Sequence, residues 1–242
     1  MKSIVLGSLI AVVASQAAGC IITSDNNDAF LSATWTLKNT NSTSSAPCPP
    51  GFDTAALYSQ EVDANNNPIG SPIIDLFTCN DGAGTSSALP PSVYQVWVDI
   101  TNSDNTSKFA SSLSAIVDLS VSDKTFSTQI LIDGGYFDMA WNLIGASSGN
   151  PLSCGQAGAT GGVEAVSTNV ANMSTFTSDI FTCEDHEGVT SGLVAATYTV
   201  DVQALNGSMA AISTTPTLMT KVIGPKNAVT DLGTISIPVT GM

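Results

Sequence analysis

The chain is predicted to be all-β, two tandem sandwich domains each with one internal disulfide, on three observations. Apolar residues alternate with period two, landmark residues recur at matched spacing, and four of the five cysteines fall into two equivalent pairs. Trp35 precedes Cys48 by 13 residues and Trp141 precedes Cys154 by the same 13; Cys79 precedes Tyr94 by 15, as Cys183 precedes Tyr198. "IDLFTCNDG" at 74–82 is echoed by "SDIFTCEDHEG" at 178–188. The echo defines a tandem duplication with a period of about 105 residues.

The first element is a leader over residues 1–19. Lys2 supplies a minimal positive region, Ile4 to Ala14 is an apolar run, and Ala17-Ala18-Gly19 is a small-residue stretch before Cys20. As a helix that run rises about 16 Å, roughly half of a hydrocarbon core, so cleavage is favoured over a membrane span. Ala17-Ala18-Gly19-Cys20 resembles the lipobox of bacterial lipoproteins, with Ala17 where leucine is usual. The resemblance implies a lipidated Cys20 as the mature N-terminus, and Ile21 after it resembles the default sorting to the outer membrane of Gram-negative bacteria. Ordinary secretory cleavage after Ser15-Gln16-Ala17 is the alternative, and it would leave Cys20 a free thiol in an oxidising compartment. Residues 20–30 are then a lipidated terminus and polar tether.

Domain 1 is placed at 31–135 and domain 2 at 136–242. "ATWTL" (33–37) and "MAWNL" (139–143) open the two copies as strands with Trp packed inside. Each runs into a Ser/Gly/Pro-rich loop ending in a cysteine. "DANNNPIG" (63–70) reads as a turn, because Asn and Gly tolerate positive φ and Pro68 cannot sit in a central ladder. In "VYQVWVDI", Tyr94, Val96, Val98 and Ile100 share one face; in the second copy Tyr198, Val200 and Val202 do. Trp97, on the face opposite Tyr94, is expected to be covered by a neighbouring sheet, with an exposed sugar-stacking platform as the alternative. "STQILI" (127–132) and "GTISIPV" (233–239) close the copies. Near 133–139 the last strand of one copy runs almost directly into the first strand of the next, which predicts a stiff pair.

Of the three connectivities open to four cysteines, only Cys48–Cys79 with Cys154–Cys183 repeats within each unit, so it is the expected pairing. Zinc is disfavoured because no CxxC spacing exists and the compartment is oxidising. About seven short strands per copy suggest a sandwich. Immunoglobulin domains carry Trp between the cysteines and Tyr two residues before the second; here Trp lies outside, and Phe77 and Phe181 stand in that place. "LPPSVYQVWV" resembles the proline-led strand of prealbumin-like modules in bacterial surface proteins. The composition and tandem pattern also resemble lipoproteins of myxobacteria.

Chemistry-bearing candidates are few. "GASSG" at 145–149 matches GxSxG, with Asp179, Asp185 and the single histidine, His186, following in a permitted order. A nucleophile elbow needs a helix after the turn, and the Ser/Gly run leads instead to Asn150 and Pro151, so Ser147 reads as a loop residue. His186 among Glu184, Asp185 and Glu187 reads as a solvated turn residue. Asp75 and Asp81, mirrored by Asp179 and Asp185, are duplicated, which favours a structural part over a catalytic pair. Asp63, Asn65 and Asn67 begin like a calcium loop, but Pro68 and Ile74 occupy positions that want Gly and Glu. No catalytic residue, metal or cofactor is therefore assigned.

Six Lys and Arg against 20 Asp and Glu give a formal net charge of -14, which repels phosphate backbones and excludes nucleic acid as a partner. The expected function is a non-catalytic, lipid-anchored envelope protein acting as an adhesin, scaffold or binding module. Its partners are the membrane, through the anchor, and an envelope protein or glycan. The rival is a polysaccharide-directed accessory or hydrolytic protein with a site in the inter-strand loops.

Overall fold

Alternation of small, polar and apolar residues in "LSATWTLK" makes β1 (Leu31–Lys38), which buries Leu31, Ala33, Trp35 and Leu37 and exposes the residues between. In the computed structural model, which describes residues 28–213 and 217–240, this strand opens the first of two similar sandwiches. The leader, Cys20 and residues 21–27 lie outside the described residues. The first sandwich continues with β2 (Thr54–Glu61), β3 (Ile73–Thr78), β4 (Ala83–Thr85), β5 (Val93–Thr101), β6 (Lys108–Ser111), β7 (Ala115–Asp118) and β8 (Lys124–Leu131). One sheet runs β4-β1-β8; the facing sheet runs β3-β2-β5-β6, with β7 also on β5.

The second sandwich begins with β9 (Gly134–Gly145), β10 (Pro151–Leu152), the one-turn helix α1 (Cys154–Ala157), β11 (Gly162–Asn169) and β12 (Phe176–Phe181). It continues with β13 (Glu187–Val189), β14 (Leu193–Val194), β15 (Ala196–Leu205), β16 (Thr217–Ile223) and β17 (Ala228–Val239). β9 and β17 form one sheet with β10, β13 and β14, and the other runs β12-β11-β15-β16. The main pairings repeat those of the first sandwich, but β10 and β14 on β9 have no counterpart there, and β16 alone takes the place that β6 and β7 share beside β5. In both, the first and last strands are parallel, Leu31 to Lys124 through Lys38 to Leu131 and Gly135 to Ala228 through Gly145 to Val239.

Two clusters of buried side chains fill the sandwiches, one drawn from residues 29–130 and one from 137–239. Tyr94, Val96, Val98 and Ile100 face the first; Tyr198, Val200 and Val202 face the second. Full burial of side chains of this size contributes about 1.5–3 kcal/mol each. Polar details repeat with the core. The Trp35 indole N–H donates to the Cys79 carbonyl at 2.8 Å and the Trp141 indole to the Cys183 carbonyl at 3.1 Å. The Tyr94 hydroxyl donates to the Pro90 carbonyl at 2.9 Å, and that of Tyr198 to the Val194 carbonyl at 3.0 Å. Each sandwich carries one disulfide, Cys48–Cys79 with Cα atoms 6.2 Å apart and Cys154–Cys183 at 5.9 Å. These bridges fasten the loop after the opening strand to a single 3-10 turn after β3 or β12.

The junction is short and closely fitted. A Cβ on Gly134 would run into the Leu193 carbonyl and one on Gly135 into the Ala228 carbonyl, so the two glycines let neighbouring backbones approach. Asn227, 4% exposed and held at φ 57°, spans the sandwiches. Its Oδ1 accepts from the Leu131 N–H at 2.6 Å, its Nδ2 donates to the Ser111 carbonyl at 2.7 Å, and its own N–H donates to the Gly134 carbonyl at 2.8 Å. On the other side, Asp133 Oδ1 accepts from the Thr40 N–H at 2.7 Å and hydroxyl at 2.8 Å.

Candidate functional site

The outward faces of β2 and β5 carry the most distinctive side chains of the molecule. Tyr58 and Trp97 stand directly opposite each other in this antiparallel pair, and their rings stack with centroids 4.9 Å apart at 6°. Asn105, in the left-handed region at φ 53°, donates from Nδ2 to the Tyr58 hydroxyl at 3.2 Å. Next along β5, Asp99 pairs with Lys108 at 3.4 Å, and Gln95 donates from Nε2 to the Ser114 hydroxyl at 3.0 Å. Among the described residues no sheet covers Trp97, contrary to the expectation from sequence: it is half-buried and borders a cleft. The sheet that carries it packs its other face on β1, and the second sandwich supplies only the far wall.

That cleft has a volume of about 510 Å³. Gln95, Trp97, Ser112 and Ser114 line it from the first sandwich, and Asp138, Val189 and Val229 from the second. The site is therefore built on strands of both units together with the short Ser112–Ser114 connection between β6 and β7. In the second sandwich the pair equivalent to Tyr58 and Trp97 is Val166 and Asp201. Burial and the neighbouring Glu164 hold the Asp201 carboxyl above its ordinary value. Glu164 is itself occupied, accepting from Gln203 Nε2 at 2.7 Å and from the Ser178 hydroxyl.

The other candidates do not converge. Ser147 is exposed in the turn after β9, with strand β10 rather than a helix beyond it. The four-residue α1 starts only at Cys154, capped by Ser153. His186 is exposed at φ 58°, filling the left-handed cap of a 3-10 turn where the first copy has Gly82, and its carbonyl accepts from the Trp141 N–H at 2.9 Å. Gly145, where the Ser147 turn begins, lies four residue steps along β9 from Trp141, about 13 Å at roughly 3.3 Å per step. Asp75 Oδ1 accepts from the Ser87 N–H and Asp179 Oδ1 from the Ser191 N–H, both at 3.0 Å, a duplicated tie between an edge strand and the loop after β4 or β13. Asp81 and Asp185 are exposed in the 3-10 turns. The Asp63 carboxylate is taken up by its own loop, accepting from the backbone N–H of Asn65 and Asn67 and from Asn67 Nδ2, and these bonds hold its pKa low. Among the described residues no group of three or more His, Cys, Asp or Glu is placed to hold a metal.

Tyr58 and Asn227 escaped the reading of the sequence. "TAALYSQE" has period two, so aligning β2 antiparallel to β5 could have placed Tyr58 beside Trp97. Asn227 carries no comparable signal, because its partners lie 96 and 116 residues away.

No protein-family model and no curated protein matches the chain. Among solved structures it is similar to the minor pilin GBS52 of Streptococcus agalactiae, at 16% identity and TM-score 0.30, covering 88% of this chain and 97% of that one. It is also similar to the shaft pilin SpaA of Lactobacillus rhamnosus, at 11% identity and TM-score 0.27, covering 89% and 99%. A leucine-rich repeat protein of Bacteroides thetaiotaomicron matches at 11% identity and TM-score 0.38 over 88% of this chain, which spans only 26% of that protein. Among the described residues no helix is long and apolar enough to cross a membrane.

Proposed function

We propose that the protein is a non-catalytic binding module of the bacterial cell envelope, an adhesin or scaffold held to the outer membrane by acyl chains on Cys20. Two or more chains at about 0.8 kcal/mol per buried CH₂ make a stable anchor, and the run Ala17-Ala18-Gly19-Cys20 supports that reading. One observation carries the binding role. The Tyr58–Trp97 stack occupies positions that the second copy fills with Val166 and Asp201, so the shared fold does not require it. A partly exposed aromatic pair beside a cleft is the kind of surface that a binding partner covers, and aromatic anchors of this type carry much of the energy of binding. The test is capture from envelope extracts by the full-length protein in detergent, read by mass spectrometry and glycan analysis. Wild type should retain a partner that Trp97→Ala loses, with both proteins equally folded by circular dichroism. Equal capture by the two would contradict this placement of the binding surface.

A further inference from the structure

We propose that the cleft beside Trp97 binds a neutral saccharide, with a pyranose ring lying on the indole. The proposal rests on the binding-module reading and names its ligand. β5 lies between β2 on one side and β6 and β7 on the other. Tyr58, on β2, therefore covers one face of the indole, and the opposite face is turned toward the Ser111–Ser114 segment and the cleft. A pyranose has an apolar C–H face and a rim of hydroxyls that both donate and accept. It needs a flat apolar floor ringed by short polar side chains. The indole supplies the floor, and Tyr58, itself fixed by Asn105, keeps it from rotating.

The rim is present on both walls. Gln95 donates to the Ser114 oxygen, which leaves the Ser114 O–H and the Gln95 carbonyl oxygen to meet ligand hydroxyls. Across the cleft Asp138, half-buried on β9, offers a carboxylate that can accept from two adjacent hydroxyls. Val189, 39% exposed, and Val229, 49% exposed, add an apolar shoulder. A volume of about 510 Å³ falls within the range of small-ligand sites. Charge selects among sugars. The cleft is lined by one carboxylate and no Lys or Arg, on a chain of net charge -14, so uronate and sulfated glycans are repelled.

The test applies the full chain to an array of neutral gluco-, galacto-, manno- and N-acetylglucosamine oligosaccharides beside sulfated and uronate ones, with calorimetric titration of each hit. A neutral oligosaccharide should bind, and Trp97→Ala should weaken it roughly tenfold or more. Trp97→Phe, which keeps a flat ring, should stay within about threefold, and Asp138→Asn should weaken binding several-fold without altering the fold. Preferential binding of charged glycans, or neutral binding indifferent to both Trp97→Ala and Asp138→Asn, overturns the proposal. Should no glycan bind while envelope capture still depends on Trp97, the saccharide is wrong and the binding module stands; loss of both would remove the two together.

Discussion

Asp201 stands where the first copy has Trp97, and the contrast shows what a sheet's outer face tolerates. Its Oδ1 is buried without a hydrogen-bond partner, and its pKa is raised by burial first and by Glu164 second. The sign follows from linkage. A carboxyl whose folded pKa lies above its unfolded value of 3.8 binds more protons in the folded state between the two values, so stability falls as pH rises through that window. The cost is present in full at neutral pH. Asp201→Asn removes the charge and adds a donor facing Glu164. It should raise the thermal midpoint at pH 7 by about 1–3 °C, discounted for solvent screening, and the advantage should vanish below pH 3.8. A variant less stable than wild type at pH 7 would contradict this account. His186 marks a second kind of tolerance, a histidine in a left-handed cap where Gly82 serves the first copy.

At the scale of elements, β3 and β12 are edge strands, and each points one Asp inward beside a core Phe: Asp75 with Phe77, Asp179 with Phe181. A charge pointing into the sandwich from an edge disfavours addition of a foreign strand, which is a structural reason for both copies to carry this residue. The parallel pairs β1·β8 and β9·β17 have a mechanical consequence. The start of the first strand and the end of the last lie at opposite ends of each ladder, so tension on the termini slides the strands lengthwise and loads all their bonds together. The disulfides then limit the extension, since 31 and 29 residues separate the joined cysteines. Single-molecule pulling should give two unfolding steps, each lengthened by about 100 Å after reduction at roughly 3.4 Å per residue; steps unchanged by reductant would contradict the bridges. The strands themselves were legible in the sequence because Tyr94-Val96-Val98-Ile100 and its copy alternate cleanly and the Cys and Trp spacings repeat. The parallel closing pairs were not, because alternation reveals which face a residue takes and says nothing of the neighbouring strand. For the same reason Trp97 could be assigned to the outer face, while the absence of a covering sheet could not be foreseen.

For the whole molecule, the junction turns two copies of one scaffold into something neither copy contains. Asn227 ties the sandwiches through hydrogen bonds to Leu131 and Ser111, and Asp133 fastens the junction to Thr40 of the first; leaving a buried partner unpaired in such a place costs about 1–3 kcal/mol. Holding the units in one orientation is what brings Asp138, Val189 and Val229 opposite Gln95, Trp97 and Ser114. The three tryptophans allow this arrangement to be tested directly. The indole N–H groups of Trp35 and Trp141 are buried and bonded to the carbonyls of Cys79 and Cys183, whereas Trp97 is half-exposed at the cleft. In an indole-selective nitrogen-proton NMR spectrum, two resonances should exchange slowly with deuterium and one rapidly. On adding soluble envelope extract, the rapidly exchanging resonance, assigned by Trp97→Phe, should shift while the other two hold still. Three equally protected indoles, or bound partner with the Trp97 resonance unmoved, would contradict a binding surface at the junction.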